Sequence, residues 1–302
     1  MTSPGPLVAI TPNLALDRTV RLDRPLRRGA LHRVRNLREL PGGKGVNLAR
    51  TVRALGGDVV VAGFLAGWNG AKLRELLQDE RIAGVFEEVP GETRECHAIL
   101  DDGAHPTEIN EAGPEVPQRA WERLLGRLPA GTAVLSGSLP PGIDDDAFGR
   151  LVAGLPEPPV VDMSGSALAT AVSAGVAMIA PNRAELAALL GRASASIDDA
   201  VAYYGAHGVP VLLSLGSEGA AYLADERWRV RAPEVDSTNP VGSGDCLLGA
   251  FLWARARGHD VADALRWGVA AGADNARRGG GGNVEAEGIR ALYETTQAEE
   301  AS

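Results

Sequence analysis

The segment NPVGSGDCLLGAF, residues 239–251, places glycines and an aspartate directly before an apolar run with helical spacing. Apolar residues recur every three or four positions from Leu247, which predicts a helix that packs against a core. The first turn of a helix has unpaired N–H groups and the positive end of the dipole, and glycines let an anion approach that backbone closely. The segment therefore predicts an anion-binding helix N-terminus built from Gly242, Ser243 and Gly244.

Asp245 makes this turn unusual, because a carboxylate beside an anion pocket repels the anion. As an ordinary acid in the first turn of a helix it contributes roughly 0.3–1 kcal/mol through the dipole. The alternative is a general base that takes a proton from a substrate hydroxyl, while the pocket stabilises charge on a transferring phosphoryl group. Both interpretations are open at this point.

A second glycine-rich turn, PGGKGVNLAR at 41–50, also leads into a predicted helix. Gly42 and Gly43 could bring backbone N–H groups against substrate hydroxyls, and Asn47 presents an amide one turn later. The chain has two lysines and 28 arginines, so Lys44 suggests a compact point charge facing an anionic group. The alternative is a tight loop that serves packing alone. The spacing matches neither a P-loop nor a dinucleotide-binding fingerprint.

Two shorter signals accompany these turns. Asp17 follows the first predicted strand and could accept hydrogen bonds from two sugar hydroxyls. Ser214, Gly216 and Gly219 form a turn after another strand, which suits a nucleotide.

Asn182 and Glu185 lie three residues apart at a predicted helix start. They place an amide and a carboxylate on one face, next to a position for hydrated magnesium, which prefers few protein carboxylates and several waters. A helix-capping arrangement explains the same spacing.

Short strand patterns alternate with helical patterns along the chain, which predicts an α/β fold with a mainly parallel sheet between helix layers. The predicted strands are 7–10, 59–64, 96–100, 133–136, 159–163, 176–180, 211–215 and 220–223. The predicted helices are 45–56, 70–79, 117–128, 145–154, 166–173, 183–190, 197–206, 244–257, 260–278 and 286–297. Residues 13–41 and 92–112 break the alternation, and we expect them to form a small sheet that acts as a lid. We treat residues 1–302 as one domain.

Composition excludes several classes of protein. A formal charge of −9 argues against nucleic-acid binding, although residues 21–38 hold seven arginines and one acid. The two cysteines suit neither a disulfide framework nor a metal cluster, and no segment has the roughly 20 apolar residues of a membrane span. We therefore expect a cytoplasmic protein with no membrane partner.

The motifs resemble, in order, those of the phosphofructokinase B family of ribokinase-like sugar kinases. They are TPNLALD, PGGKGVNLAR, GFLAG, SGSLPPG, VVDMSG, PNRAEL, LSLGSEGA and NPVGSGD. The resemblance covers essentially the whole chain. It implies a three-layer α/β/α ribokinase-like fold with a small β-sheet lid, transfer of the ATP γ-phosphoryl group to a sugar hydroxyl, ATP and Mg²⁺ as cosubstrate and cofactor, and a homodimer formed through the lid.

The resemblance also implies roles for individual residues. Asp245 matches the catalytic base. The anion hole is assigned to Gly242, Ser243 and Gly244, with the Asp245 amide. The substrate-binding positions are Asp17, Gly42, Gly43, Lys44, Asn47, Arg94 and Ser138. The nucleotide-binding positions are Asn182, Ser214, Gly216 and Gly219. Glu185 is assigned to magnesium, through water.

The positively charged residues narrow the range of sugars that could accept the phosphoryl group. Lys44, Arg94 and the arginines at 27–33 suggest a sugar that already carries a phosphate. GGKG and SGSLPPG are similar to kinases of fructose 1-phosphate and of tagatose 6-phosphate. We expect conversion of fructose 1-phosphate to fructose 1,6-bisphosphate. Phosphorylation of tagatose 6-phosphate or fructose 6-phosphate is the alternative, and a nucleoside kinase or a non-catalytic sugar-phosphate-binding relative is a more distant one.

Two positions depart from the family pattern. Ala180 stands where relatives often have lysine, so one nucleotide-phosphate contact is missing or comes from elsewhere. Cys246 replaces the usual serine after the aspartate, and a helix N-terminus could lower its thiol pKa. A buried inert thiol is the other interpretation.

Overall fold

The computed structural model describes residues 5–34, 37–101 and 107–301 of the chain. The strands are β1 (Leu7–Thr11), β2 (Ala15–Arg21), β3 (Leu37–Gly42), β4 (Val59–Leu65), β5 (Ala83–Glu88), β6 (Arg94–Leu100), β7 (Thr107–Asn110), β8 (Thr132–Gly137), β9 (Val160–Met163), β10 (Met178–Ile179), β11 (Val211–Ser214), β12 (Ala220–Leu223), β13 (Arg227–Val230) and β14 (Ala298–Glu300). The helices are α1 (Lys44–Ala54), α2 (Gly67–Asp79), α3 (Gln118–Leu125), α4 (Asp145–Ala153), α5 (Ser166–Ala174), α6 (Arg183–Leu189), α7 (Ile197–His207), α8 (Ser243–Ala256), α9 (Val261–Arg277) and α10 (Ala286–Thr295).

Ten strands form the large sheet, in the order β14-β13-β12-β11-β10-β9-β8-β1-β4-β5. The strands from β11 to β5 are parallel, and β12, β13 and β14 continue the sheet antiparallel. In the central strand β1, Ile10 lies opposite Ala62 on one side and Leu135 on the other. The sheet is therefore mainly parallel, as the alternating sequence pattern predicts.

Both faces of the large sheet are buried. Side chains of a strand point alternately to opposite faces, so each strand contributes to two cores. Leu7 and Ala9 of β1 join one apolar core, whereas Val8 and Ile10 join the other. Helices α1, α2, α8, α9 and α10 supply apolar residues to the first core, and α3 to α7 supply them to the second. The predicted three-layer α/β/α class is confirmed.

Every strand and helix predicted from the sequence is present, and three strands of the large sheet were missed. Strand β5 (AGVFEE) combines glycine and two glutamates with few β-branched residues, and β13 (RWRV) alternates arginine with apolar residues. Strand β14 (AEE) is three residues long and has no apolar periodicity. All three lie at or near the edges of the sheet, where burial imposes less hydrophobic pattern.

A separate four-stranded sheet, which we call the lid, has the order β3-β2-β6-β7. Its strands come from the two segments that break the βα alternation, although residues 35–36 and 102–106 of those segments lie outside the described residues. Strand β2 starts four positions after β1 ends, so the lid is attached at the carboxyl edge of the large sheet. Open parallel sheets bind ligands at that edge.

The helices of the described residues include none that is both long and apolar enough to cross a bilayer.

Candidate active site

The N-terminus of α8 is shaped as the glycine-rich segment predicts. Gly242 is the N-cap residue and has φ 84°, a left-handed conformation that favours glycine. Within the described residues, the backbone N–H groups of Gly244 and Asp245 donate to no protein acceptor, whereas that of Ser243 donates to the Pro240 carbonyl at 3.0 Å. Among the described residues, the N–H groups of this turn without a protein acceptor are therefore those of Gly242, Gly244 and Asp245, whereas the N–H of Ser243 is already used.

Asn275 of α9 fixes the shape of this turn, and no sequence motif pointed to it. Its side-chain Nδ2 donates to the Val241 carbonyl at 2.9 Å and to Ser243 Oγ at 3.0 Å, and its Oδ1 accepts from the Gly282 N–H at 2.9 Å. Asn275 is fully buried, so these bonds tie the glycine-rich loop at 279–283 to the anion hole without competition from water.

Asp245 is the third residue of α8, and its side chain is 7% exposed. Asn47 Nδ2 donates to Asp245 Oδ2 at 2.8 Å, which joins the two glycine-rich turns. The bond depends on a close approach of α1 and α8, because a Cβ on Gly249 would lie 2.9 Å from the Leu48 carbonyl oxygen. A glycine one turn after Asp245 thus brings the amide within reach of the carboxylate.

A cluster of charges lies beside this pair. Lys44 Nζ is 2.9 Å from Asp162 Oδ1 and 3.2 Å from Glu185 Oε1. Ser136 Oγ donates to the other oxygen of Asp162 at 3.3 Å. Lys44 therefore faces protein carboxylates, which differs from the expectation that it faces an anionic group of the substrate. Asp162 was missed by sequence reasoning, although a buried acid in the apolar strand β9 (VVDM) is the signal that could have found it.

These charges set the protonation of the site. Burial, followed by the Asp162 carboxylate, raises the pKa of Asp245 well above its ordinary value, and Lys44 and the Asn47 amide act against that rise. Burial disfavours the ammonium form of Lys44, but Asp162, Asp245 and Glu185 together outweigh it and raise the pKa of Lys44. The lysine is therefore a permanent cation that helps keep a buried carboxylate ionised.

A cavity of about 710 Å³ opens from the α8 N-terminus between α9 and the loop after β13. It brings together all four residues assigned to the nucleotide, and Ser243 and Gly244 of the anion hole also line it. The four are Asn182, Ser214, Gly216 and Gly219. Leu247, Val269 and Ala273 form an apolar wall, so the cavity combines a flat hydrophobic surface with an anion hole at one end. This combination suits a nucleoside triphosphate.

Asn182 and Glu185 form a capping box at the start of α6. Asn182 Oδ1 accepts from the Glu185 N–H at 2.9 Å, and Glu185 Oε2 accepts from the Asn182 N–H at 2.9 Å. The capping interpretation is therefore correct, and it coexists with the site, since Asn182 lines the nucleotide cavity and Glu185 binds Lys44.

The residues assigned to the acceptor include three on lid strands, Asp17, Gly42 and Arg94. Asn13 Nδ2 donates to Ser138 Oγ at 3.3 Å, and Arg94 Nε donates to the Asn13 carbonyl at 3.1 Å. A Cβ on Gly42 would lie 2.2 Å from the Asp17 carboxyl carbon, so glycine allows that carboxyl group to lie against the turn. Burial raises the pKa of Asp17 to about 6, against the opposing charges of Arg50 and Arg94.

Asn13 is a further residue that sequence reasoning missed. It is 5% exposed, and its Oδ1 atom accepts no hydrogen bond from the described residues. A buried carbonyl oxygen without a donor is costly unless a ligand supplies one. Asn13 therefore offers an acceptor to a hydroxyl, next to Ser138.

Two further expectations concern the arginines of the lid loop and Cys246, the residue after Asp245. The arginines at 27, 28 and 33 are exposed on the lid loop and form no hydrogen bond or ion pair with the site residues described above. Cys246 is buried, and burial raises the pKa of its thiol to about 12. The expectation of a buried inert thiol is therefore correct, and the expectation of a lowered thiol pKa is wrong.

Comparisons with known proteins find relatives of one kind. The model of the pfkB family carbohydrate kinases matches residues 11–287. The chain is 36% identical over 272 residues to a 1-phosphofructokinase of Haloferax volcanii, covering 87% of this chain and 88% of the relative. It is 33% identical over 261 residues to a tagatose-6-phosphate kinase of Staphylococcus epidermidis, covering 80% and 83%.

Among solved structures, phosphofructokinase-2 from Escherichia coli in complex with potassium superposes with a TM-score of 0.88 at 26% identity, covering 96% of this chain and 98% of that one. The family match, the two relatives and the shared fold lead to the same conclusion. The chain belongs to the pfkB family of carbohydrate kinases, within the ribokinase-like fold, and is a sugar-phosphate kinase that uses ATP.

Proposed function

We propose that this protein transfers the γ-phosphoryl group of ATP to a hydroxyl of fructose 1-phosphate and so forms fructose 1,6-bisphosphate. The observation that carries the proposal is the environment of Asp245: it is buried, its carboxylate accepts a hydrogen bond from Asn47, and it directly follows Ser243 and Gly244, which line the 710 Å³ cavity. The 36% identity to a 1-phosphofructokinase supports the choice of acceptor.

The mechanism follows from the charges. Asp245 takes the proton of the acceptor hydroxyl as that oxygen attacks the γ-phosphorus, and the bond to the β-phosphate oxygen breaks to release ADP. The N–H groups of Gly244 and Asp245 stabilise charge on the phosphoryl oxygens without reorganisation. Lys44 opposes the rise in the pKa of Asp245 that burial and Asp162 cause, and so favours the ionised form that accepts the proton.

Magnesium fits the residues present, although the described residues contain no cluster of three possible metal ligands. Mg²⁺ usually binds one or two protein carboxylates together with substrate phosphates and waters. Glu185 would hold it through water, and the ion would neutralise charge on the transferring phosphate. Each Glu185 oxygen has one protein donor, so lone pairs remain for that water.

On the acceptor side, Asp17, Asn13 and Ser138 provide acceptors for sugar hydroxyls, and Arg94 provides a cation for the phosphate that the substrate already carries. The 33% identity to a tagatose-6-phosphate kinase favours tagatose 6-phosphate as the second candidate.

The test measures ADP release with purified protein, ATP and Mg²⁺ against five acceptors: fructose 1-phosphate, fructose 6-phosphate, tagatose 6-phosphate, fructose and adenosine. We expect the highest kcat/KM for fructose 1-phosphate, by tenfold or more. A preference for another sugar phosphate would correct the acceptor, and turnover of adenosine alone would overturn the proposal. Arg94→Gln should raise KM for the sugar phosphate about tenfold and leave that for ATP unchanged, whereas Arg119→Gln on α3 should change neither.

We also propose that two copies associate through the lids. Five large apolar residues are exposed on the lid strands and on the loop between β2 and β3, with exposures from 39% to 66%. They are Leu26, Leu31, Val34, Leu37 and Ile109. An apolar patch of this kind on a small sheet is typical of a protein interface, and a second lid presents the same apolar surface.

A further inference from the structure

A second cavity, of about 420 Å³, shares no lining residue with the nucleotide cavity. Its walls are the edge strand β3, the C-terminal half of α1, the turn after α2 and the glycine-rich loop at 281–284. None of the residues assigned to ATP or to the acceptor lines it. Its volume lies within the range of small-molecule sites.

The charge of this cavity is strongly positive. Four arginines line it against one acid, Glu80. Glu80 already forms a bidentate ion pair with Arg50, whose Nε and Nη2 donate to its two oxygens at 2.7 and 2.9 Å. In the described ranges, the side chains of Arg38, Arg53 and Arg81 form no ion pair or hydrogen bond. Three unpaired guanidinium groups on one cavity, in a chain of net charge −9, favour an anion there.

The backbone at Arg81 adds a second argument. Arg81 has φ 55° and is the only described non-glycine residue with positive φ. It follows the C-cap residue of α2, a position that glycine usually occupies. An arginine in this conformation has an unfavourable backbone energy that glycine would avoid. Folding alone therefore does not explain why arginine occupies this position.

Arg50 connects this cavity to the reaction centre. Its guanidinium group forms the floor of the cavity and donates to the Gly281 carbonyl and the Pro41 carbonyl, both at 2.7 Å. Its Nη1 also donates to Asn47 Oδ1 at 3.1 Å, the longest of its hydrogen bonds. Asn47 in turn donates to Asp245. An anion that attracts Arg50 would therefore weaken the bond to Asn47 first.

We propose that this arginine-lined cavity is a second anion-binding site, for a small phosphorylated ligand, and that Arg50 transmits its occupancy to the Asn47–Asp245 pair. Guanidinium groups bind phosphate oxygens in pairs, and three of them can surround one phosphate group. Because the bond to Asn47 orients the amide that holds the general base, occupancy lowers kcat and leaves KM for both substrates nearly unchanged.

The binding test is a calorimetric titration of the full-length protein with inorganic phosphate at about 0.15 M salt, where long-range attraction between surface charges is screened. The variant combines Arg53→Ala and Arg81→Gly, which remove two charges, improve helix propensity and relieve the positive φ. Arg290→Ala, an exposed arginine on α10, is the matched control. Wild type and the control should bind phosphate at two sites, and the double variant at one. A hexose bisphosphate titrated in the same way distinguishes a sugar phosphate from free phosphate as the tighter ligand.

The kinetic test measures ADP release at saturating substrates while inorganic phosphate is added. We expect phosphate to lower kcat at least threefold in wild type and in Arg290→Ala, and to leave the double variant unaffected. The same number of phosphate sites and equal inhibition in all three proteins would overturn the proposal. The calorimetric readout does not depend on which sugar is phosphorylated, so it distinguishes failure of this site from failure of the proposed acceptor.

Discussion

Lys44 and Asp245 show how one buried charge controls another. Asp162 and burial favour the protonated form of Asp245, and a protonated acid cannot accept the proton of a substrate hydroxyl. Lys44 opposes both effects, although its ammonium group binds Asp162 and Glu185 rather than Asp245 itself. Lys44, in the glycine-rich turn at 41–50, thus acts electrostatically on Asp245, in the glycine-rich turn at 239–251, within one pocket.

Replacing Lys44 by Met should therefore move the acid limb of the pH–rate profile. Without the ammonium charge the pKa of Asp245 rises further, because the ionised carboxylate loses its nearest cation, so activity appears only at higher pH. The measurement is kcat as a function of pH. Lys72→Met is the matched control, since Lys72 is the other lysine of the chain and pairs with Glu39 on the lid. Identical acid limbs for all three proteins would exclude Lys44 from this role.

At the scale of elements, the site depends on how closely α1 and α8 pack. Gly249 has no Cβ to separate them, and Asn47 of α1 reaches Asp245 of α8 as a result. Gly272 of α9 similarly lies against the Ser243 carbonyl, where a Cβ would be 3.0 Å away. Glycines on two helices, α8 and α9, therefore align the anion hole, the base and the amide that holds it.

Gly249→Ala tests this alignment. Alanine improves helix propensity by about 1 kcal/mol, but its Cβ would force α1 and α8 apart at a backbone carbonyl, which costs roughly 1–3 kcal/mol. We expect a tenfold or greater loss of kcat with a small change in the free energy of unfolding. Gly205→Ala on α7 is the matched control, because nothing lies within 4 Å of its Cβ position. It should stabilise the protein by up to about 1 kcal/mol and leave kcat unchanged. Equal kcat for both variants would contradict the account.

The sequence predicts elements well where burial imposes a pattern. The strands that are buried on both faces appear as apolar runs, and each was identified from the sequence. The edge strands β13 and β14 are partly solvent-exposed and carry arginines and glutamates, so their sequences resemble loops. Sheet order and the extra antiparallel strands depend on tertiary packing, which local periodicity does not encode.

The same limit applies to the site. Glycine-rich turns have a local signature, and the residues assigned to the nucleotide meet in one cavity as expected. Asn275 has no such signature, and Asp162 has only that of an acid within an apolar strand; both contact residues more than 30 positions away in the chain. The partner of Lys44 was missed for that reason: the carboxylate that binds it is 118 positions away.

At the scale of the whole molecule, the lid carries Asp17 and Arg94, which we propose bind the acceptor, and also exposes apolar side chains. Ile109 is 56% exposed and Leu37 is 48% exposed, at the two edges of the lid sheet. Burying such residues against a second lid would stabilise association by roughly 25 cal/mol per Å² of apolar surface removed from water. Association would also hold the lid over the acceptor, where it excludes water from the reaction.

If two copies associate through the lids as proposed, Ile109→Asp with Leu37→Asp should convert that dimer to a monomer, because two carboxylates would be buried without partners at the interface. Sedimentation equilibrium measures the mass directly. Arg290→Glu, a charge change on α10 away from the lid, should leave the dimer intact. We expect the monomer to have a higher KM for the sugar phosphate, since the lid loses its support. A wild-type protein that sediments as a monomer would contradict the proposed assembly.

The most direct measurement is the rate of ADP formation from ATP and fructose 1-phosphate by wild type and Asp245→Asn. Asparagine keeps the shape of the side chain but cannot accept the proton of the acceptor hydroxyl at neutral pH. The account predicts that kcat falls by about 10²–10⁴-fold while ATP still binds with similar affinity. A variant that keeps kcat within a few-fold of wild type would contradict it and remove Asp245 as the base.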